Sequence, residues 1–184
     1  MTEAVPGERR QVALSQDDLR AVTRYAECAQ TVLEIFGRTY PADTRPRAAI
    51  EVAWMFAGGG ARGKTLRSAA WAALRAAQAG EQSGESAAGQ AARAAMSAAG
   101  AAYLHPLADA HQVKHILGAA AHAARAAELD AGDDLTVGAE HLEHARRRAT
   151  PAVVEVLCRY PAPPGGGRVG ALLRELDTAL RNRC

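Results

Sequence analysis

Apolar residues recur at intervals of three and four along most of the chain, the period of an α-helix seen from one side. Leu19, Val22, Ala26, Ala29, Leu33 and Phe36 form the first such stripe and predict a helix over about 16–36. Ser15, with Asp18 three positions on, has the pattern of a capping box at its start. "YPADTRP" breaks the stripe. Ala49, Ile50, Ala53, Trp54 and Ala57 then share one side of a helix over about 46–57, which the glycines at 58–60 end. Further helices are predicted over about 65–79, 87–103, 106–129, 137–148 and 151–159. "GEQSGES", 80–86, reads as a loop. Pro106 is placed to open the fifth helix, and Thr150-Pro151 to cap and open the seventh. After the linker "PAPPGGG", Val169, Leu172, Leu173, Leu176 and Leu180 line a last amphipathic helix over about 168–182.

These elements predict an all-α fold: an Ala-rich bundle of about seven helices plus a C-terminal amphipathic helix. The domain reading is a flexible N-terminus over 1–14, one helical domain over 15–160, a linker over 161–167 and the C-terminal helix over 168–184. Roughly a quarter of the residues are alanine, far above ordinary usage, and aromatics are 4%. Alanine favours helix and leaves little side chain between helices. The expected core is closely approaching helices pinned by Phe36, Trp54, Phe56, Trp71 and Tyr103.

The net charge of +2, with both signs interspersed, argues against a nucleic-acid groove. No window has the length and freedom from charge of a membrane span or signal peptide. Cys28, Cys158 and Cys184 are widely spaced and read as reduced thiols of a cytoplasmic protein.

"GGGARGKT", Gly58–Thr65, fits the P-loop pattern letter for letter. The chemistry needs a strand before the glycines, a parallel sheet and a carboxylate for Mg²⁺. The chain offers none of these, so the plainer reading is a helix-ending glycine turn before the next helix. No nucleotide and no other cofactor is expected.

Histidine placement is the most informative feature. His111, His115, Gly118 and His122 fall within about 60° of one another on a helix turning 100° per residue. Gly118 removes bulk from the middle of that stripe. Three readings stand side by side: polar core groups bonded to neighbouring helices, a ligand or acid/base site, and a metal pair. No metal is assigned, because two ligands at i and i+4 are too few. Glu27 and Glu51 are placed near the apolar faces of the first two helices, as acid/base partners or as ion pairs. The candidate catalytic set is therefore His111, His115, Glu27 and Glu51. The candidate binding set is His122, Gly118, Arg45, Arg47, Trp54 and Trp71.

"AECAQTVLEIF" (26–36), "RPRAAIE" (45–51), "AARAAMSAAG" (91–100) and "AHQVKHILGAAAHAARAAEL" (110–129) together resemble the actinobacterial Imm-5-like putative immunity protein family, from about Leu14 to Tyr160. The resemblance implies an all-α fold and a role beside polymorphic toxins. This chain departs from the family pattern at Leu74, where the family tends to carry His. It departs at His122, where an aromatic is usual, and at Gly37, where an acid is usual. The tail after Tyr160 reads as an addition.

Two functions are carried forward. One is an immunity or self-resistance protein holding a toxin or small apolar molecule at a His-lined pocket. The other is a cofactor-free enzyme of specialised metabolism, such as antibiotic biosynthesis, doing isomerisation, cyclisation or elimination by His/Glu acid-base catalysis. Whether the chain is an enzyme stays open, as does a homodimer. No nucleic acid and no membrane is expected as partner.

Overall fold

The computed structural model describes residues 10–184. The first helical run begins at Ser15. Its hydroxyl accepts from Asp18 N while the Asp18 carboxylate accepts from Ser15 N, so the predicted capping box is formed. Helix α1 (Gln16–Tyr25) passes through a tighter 3₁₀ stretch, Ala26–Val32, into α2 (Leu33–Thr39). Then come α3 (Arg45–Ala57), α4 (Lys64–Gln82), α5 (Ser86–Gly100), α6 (Val113–Asp130), α7 (Leu135–Arg148), α8 (Pro151–Cys158) and α9 (Gly167–Arg181). Counting the first run once, the predicted seven helices plus a C-terminal one are all present, and the fold is all-α.

The centre of the bundle is α5. It buries Ala88, Gly89, Ala91, Ala92, Ala94, Ala95, Ala98 and Ala99, every one a small residue. With no bulk on this helix, its neighbours come close. A Cβ added to Gly80 of α4 would stand 3.2 Å from the backbone nitrogen of Gly89. One added to Gly89 would stand 3.2 Å from the Ala77 carbonyl oxygen. The two backbones therefore touch at this crossing. That explains why the expected loop at 80–86 is mostly helix. Gly80 is a packing position inside α4, and only Ser83–Glu85 turn the chain.

A second difference lies at Pro106, which opens no helix. Residues 104–109 are not helical, and Leu107 forms an isolated antiparallel bridge with Gln11. Val12 N donates to Pro106 O at 3.0 Å and Ala108 N to Arg10 O at 2.9 Å. The chain then makes a 3₁₀ turn at Ala110–Gln112 before α6 begins at Val113. The same bonds hold residues 10–12 of the segment expected to be flexible over 1–14; its first nine residues lie outside those described.

The pinning residues also differ. Phe36 and Phe56 are buried, but Trp54 and Trp71 are on the surface. Trp54 and Phe56 are two positions apart, about 200° round a helix, so only one can face the core. The buried stripe of α3 is Pro46, Ala49, Ile50, Ala53, Phe56 and Ala57, and Phe56 takes that place.

Helix α9 packs on α6, α7 and α8 and buries Leu172, Leu173, Leu176 and Leu180. It is also tied by charge. Glu128 of α6 is fully buried and accepts from Arg168 of α9 and Arg125 of its own helix. Burial pushes this carboxyl's pKa up, but the hydrogen bonds and charges of Arg168 and Arg125 outweigh it and hold it below the usual 4.5. Gly138 of α7 leaves the room this carboxylate occupies; a Cβ there would collide with Glu128.

The expectation of three reduced thiols is corrected. Cys158 at the end of α8 and Cys184 at the chain terminus are joined in a disulfide, with Cα atoms 6.4 Å apart. The docking of α9 against α8 brings them together, which spacing in sequence alone does not reveal. Cys28 remains free and buried, and burial pushes its thiol up to about 12, which leaves it inert at neutral pH. Among the described residues no helix is long and apolar enough to cross a membrane.

Two outcomes follow for stability. Gly80→Val should destabilise the fold by about 1–3 kcal/mol in urea titration, since the α4 and α5 backbones must separate. Gly37→Ala, with nothing within 4 Å of the new Cβ, should be neutral or stabilising by up to ~1 kcal/mol. Separately, the disulfide closes a loop of 26 residues. Cys184→Ser should therefore cost about 3 kcal/mol in the same titration, and a reductant should impose the same loss on the unaltered chain.

Candidate functional site

The histidine stripe falls on the seam between α5 and α6. Because α6 begins at Val113, His111 is not on it. His111 sits exposed in the preceding 3₁₀ turn, where its backbone N–H donates to the Asp109 carboxylate at 2.8 Å. His111 thus precedes α6 and is exposed, whereas His115 is half-buried. His115 donates from Nδ1 to the Gly100 carbonyl at 2.9 Å, which leaves Nε2 with a lone pair. His122 donates from Nδ1 to Gln90 Oε1 at 2.8 Å. Between them, the space that Gly118 leaves is taken by Ser97, whose Oγ would stand 3.4 Å from a Cβ at 118. Alongside, Arg93 of α5 holds Glu81 of α4, with Nη2 2.9 Å from Oε2.

The seam is thus a line of ties between helices: His115 to Gly100, Gly118 against Ser97, His122 to Gln90. Burial pulls the pKa of His115 below its usual value, and the Gly100 bond only partly opposes that. Burial and the nearby Arg93 charge pull His122 down to about 4. Both imidazoles are neutral at pH 7. A general base working at neutral pH is best served by a pKa near 7, from which His122 is far removed.

The other candidates lie apart. Glu27, half-buried on the 3₁₀ stretch, pairs with Arg148 at the end of α7, 3.0 Å away. Glu51 is exposed on the outer side of α3. Arg45 is bound to Asp43 at the start of the same helix, Nη2 to Oδ2 2.6 Å, and Arg47 is exposed. The fold does not gather the ten predicted residues into one place. It makes two groups, His115–Gly118–His122 in the α5–α6 seam and Arg47–Glu51–Trp54–Trp71 on the outside of α3 and α4.

Open clefts occur elsewhere: beside the disulfide, around the turn at Thr39–Arg45, and along α7. No α6 histidine lines any of these. A shallow cleft near Thr31 is edged by Glu140, His141 and His144. Burial lowers the pKa of His141 there, helped by the neighbouring His144. Among the described residues no three His, Cys, Asp or Glu side chains converge in a way that could hold a metal ion.

Two features were missed in the sequence. One is Glu128, which reads as one more charged residue at the end of an alanine-rich helix. Its signal is faint: a glycine at 138 on the next helix and an arginine just past the linker. The other is the outer side of α3 and α4. Trp54 is 42% exposed, Met55 70% and Trp71 57%, and they are three of the four large exposed apolar side chains among the described residues. Phe56 was the available clue, since it competes with Trp54 for the inside.

The sequence model of one family, described as Imm-5 like putative immunity protein, matches residues 13–150. The match stops just before α8, so α8, α9 and the disulfide lie beyond it. No curated protein and no solved structure matches the chain.

His122 gives a direct check on the seam. Its imidazole should titrate near pH 4 when its ring carbon resonance is followed by NMR. The sign is fixed: a folded pKa below the unfolded 6.5 gives stability that is whole above pH 6.5 and lost as pH falls towards 4. His122→Gln should flatten that part of the stability–pH curve. A titration near 6.5 would mean that the ring is in water and that no seam exists.

Proposed function

Since the chain belongs to the Imm-5 like putative immunity protein family, we propose that it acts by binding, neutralising a toxin protein through its surface rather than through chemistry at a histidine pocket. The observation that carries this reading is the dispersal of the candidate catalytic groups. His115 and His122 are each engaged with α5, His111 is in an exposed turn, Glu27 is paired with Arg148, and Glu51 faces water. Acid-base catalysis needs such groups within hydrogen-bond reach of one reacting atom. Binding needs only a stable body with a distinctive face. The enzyme alternative rests on residues that have no common partner, and a small apolar ligand would need a cavity where Ser97 fills the space beside Gly118.

The test is to read the neighbouring genes and co-express the chain with each toxin found among them. Protection should be stoichiometric, with the two proteins recovered as a complex of fixed ratio. His115→Ala and His122→Ala should keep protecting as long as they fold. Protection at a small fraction of the toxin's concentration, lost in either histidine variant, would point to catalysis and defeat the reading.

A further inference from the structure

Helices α3 and α4 are joined by the short loop at 58–63 and both pack on α5. Each turns its buried residues inward, so their outer stripes lie on the side away from α5. On α3 that stripe carries Arg47, Glu51, Trp54 and Met55; on α4 it carries Lys64, Arg67, Trp71 and Arg75. Every one of these is exposed. Trp54 and Trp71 are also the only two tryptophans in the chain. A soluble surface that shows two tryptophans and a methionine on adjacent helices has the composition of a binding hot spot, in which Trp and Arg predominate.

Charge distinguishes this face further. Between residues 45 and 80 there are six basic side chains and one acidic one, Glu51, in a chain whose whole net charge is only +2. The ion pairs formed among the described residues engage Arg45 of this segment but not Arg47, Lys64, Arg67 or Arg75. Two arginines are held in position. Arg62 and Arg67 both lie over the Tyr103 ring, 5.6 and 5.1 Å from its centre, and Tyr103 donates its hydroxyl proton to Gly63 O at 3.0 Å. The loop and the start of α4 thus present fixed positive charge beside the tryptophans.

We propose that the α3–α4 face is a docking surface for a partner protein that presents acidic side chains around an apolar centre. The choice of a protein partner rests on the immunity reading above; the chemistry of the partner rests on this face. A second copy of the chain fits poorly, because a two-fold contact would set the same basic side chains against each other. An anionic membrane or a nucleic acid fits less well than a protein. Glu51 sits one turn from both Arg47 and Met55, where either polyanion would repel it and a protein side chain can pair with it.

The experiment uses the full chain in the cells that make it. A photocrosslinking p-benzoylphenylalanine is placed at Ser68, on the outer stripe of α4, and as a control at Glu34 on α2. The position-68 probe should capture a protein, the position-34 probe should not, and mass spectrometry should map the attachment to a segment of net negative charge. That protein, purified, should change the fluorescence of Trp54 and Trp71. Its dissociation constant should rise about 10- to 100-fold with Trp71→Ala or Arg75→Glu, both exposed positions that leave the core untouched. Capture of lipid, nucleic acid or a second copy overturns the proposal. So does a captured segment without net negative charge, equal or absent capture at the two positions, or an affinity unchanged in both variants. The two readings fail separately. A captured acidic protein that is harmless when made alone removes the immunity role and leaves the surface. Full protection by a variant that combines Trp71→Ala and Arg75→Glu removes the surface and leaves the immunity role.

Discussion

The contact between the α4 and α5 backbones at Gly80 and Gly89 sets the terms for the rest of the molecule. Close-packed interiors tolerate little change in volume, and here the central helix contributes almost none. With only Ala and Gly buried along α5, the surrounding helices have no large side chains to hold them apart. The larger apolar groups must then come from the periphery: Phe36 and Phe56 on one side, the leucines of α9 on the other. Helix α9 is therefore part of the core, although it lies beyond the family match. Its attachment is threefold, through leucines in the α6–α7 groove, through Arg168 on the buried Glu128, and through the Cys158–Cys184 bond.

The same closeness explains the histidines. Where two helices approach with alanine between them, polar side chains find room only at the edges of the contact. His115 and His122 stand along such an edge and bond across it to Gly100 and Gln90, with Ser97 packed against Gly118 between them. A buried imidazole without a partner would be costly, so these bonds fix the register of α6 on α5. Gly118 belongs to this arrangement, since Ser97 packs over it, its Oγ 3.4 Å from where a Cβ would stand. A stripe that looks like a ligand wall in sequence supplies, in three dimensions, two ties from α6 to α5.

Much of the architecture was legible because it depends on local signals. Ser15 with Asp18 and Thr150 with Pro151 mark helix starts through bonds made within a few residues, and those starts are where they were predicted. Most of the departures involve partners that local signals do not reveal. Gly80 reads as loop until Gly89 is seen opposite it. Pro106 reads as a helix opener until residues 10–12 are seen bonded to its segment. Trp54 reads as core until Phe56 is found to hold that place. Cys158 and Cys184 read as separate thiols until α9 folds back on α8. Alanine monotony makes this worse, because a helix that is apolar all round does not reveal which side faces in. The two groups into which the candidate residues divide were legible as helix faces, but not which neighbour each face meets.

Helix α4 shows how stability and recognition are separated in this fold. Its inner stripe, Leu66, Ala73, Ala76, Ala77 and Gly80, is buried, and Ala69 and Ala70 pack beside it against the core. Its outer stripe, with Lys64, Arg67, Trp71 and Arg75, touches little of the body apart from the stacking of Arg67 on Tyr103. Exposed substitutions of this kind usually change stability by no more than about 0.5 kcal/mol. Changes of charge on a docking face, by contrast, alter encounter rates and partner choice strongly. An edge helix packed through alanine and glycine can thus exchange its outer residues without disturbing the seam behind it. A centre built from the smallest side chains sets the close approach of α4 to α5, and the outer residues of α4 take no part in that contact.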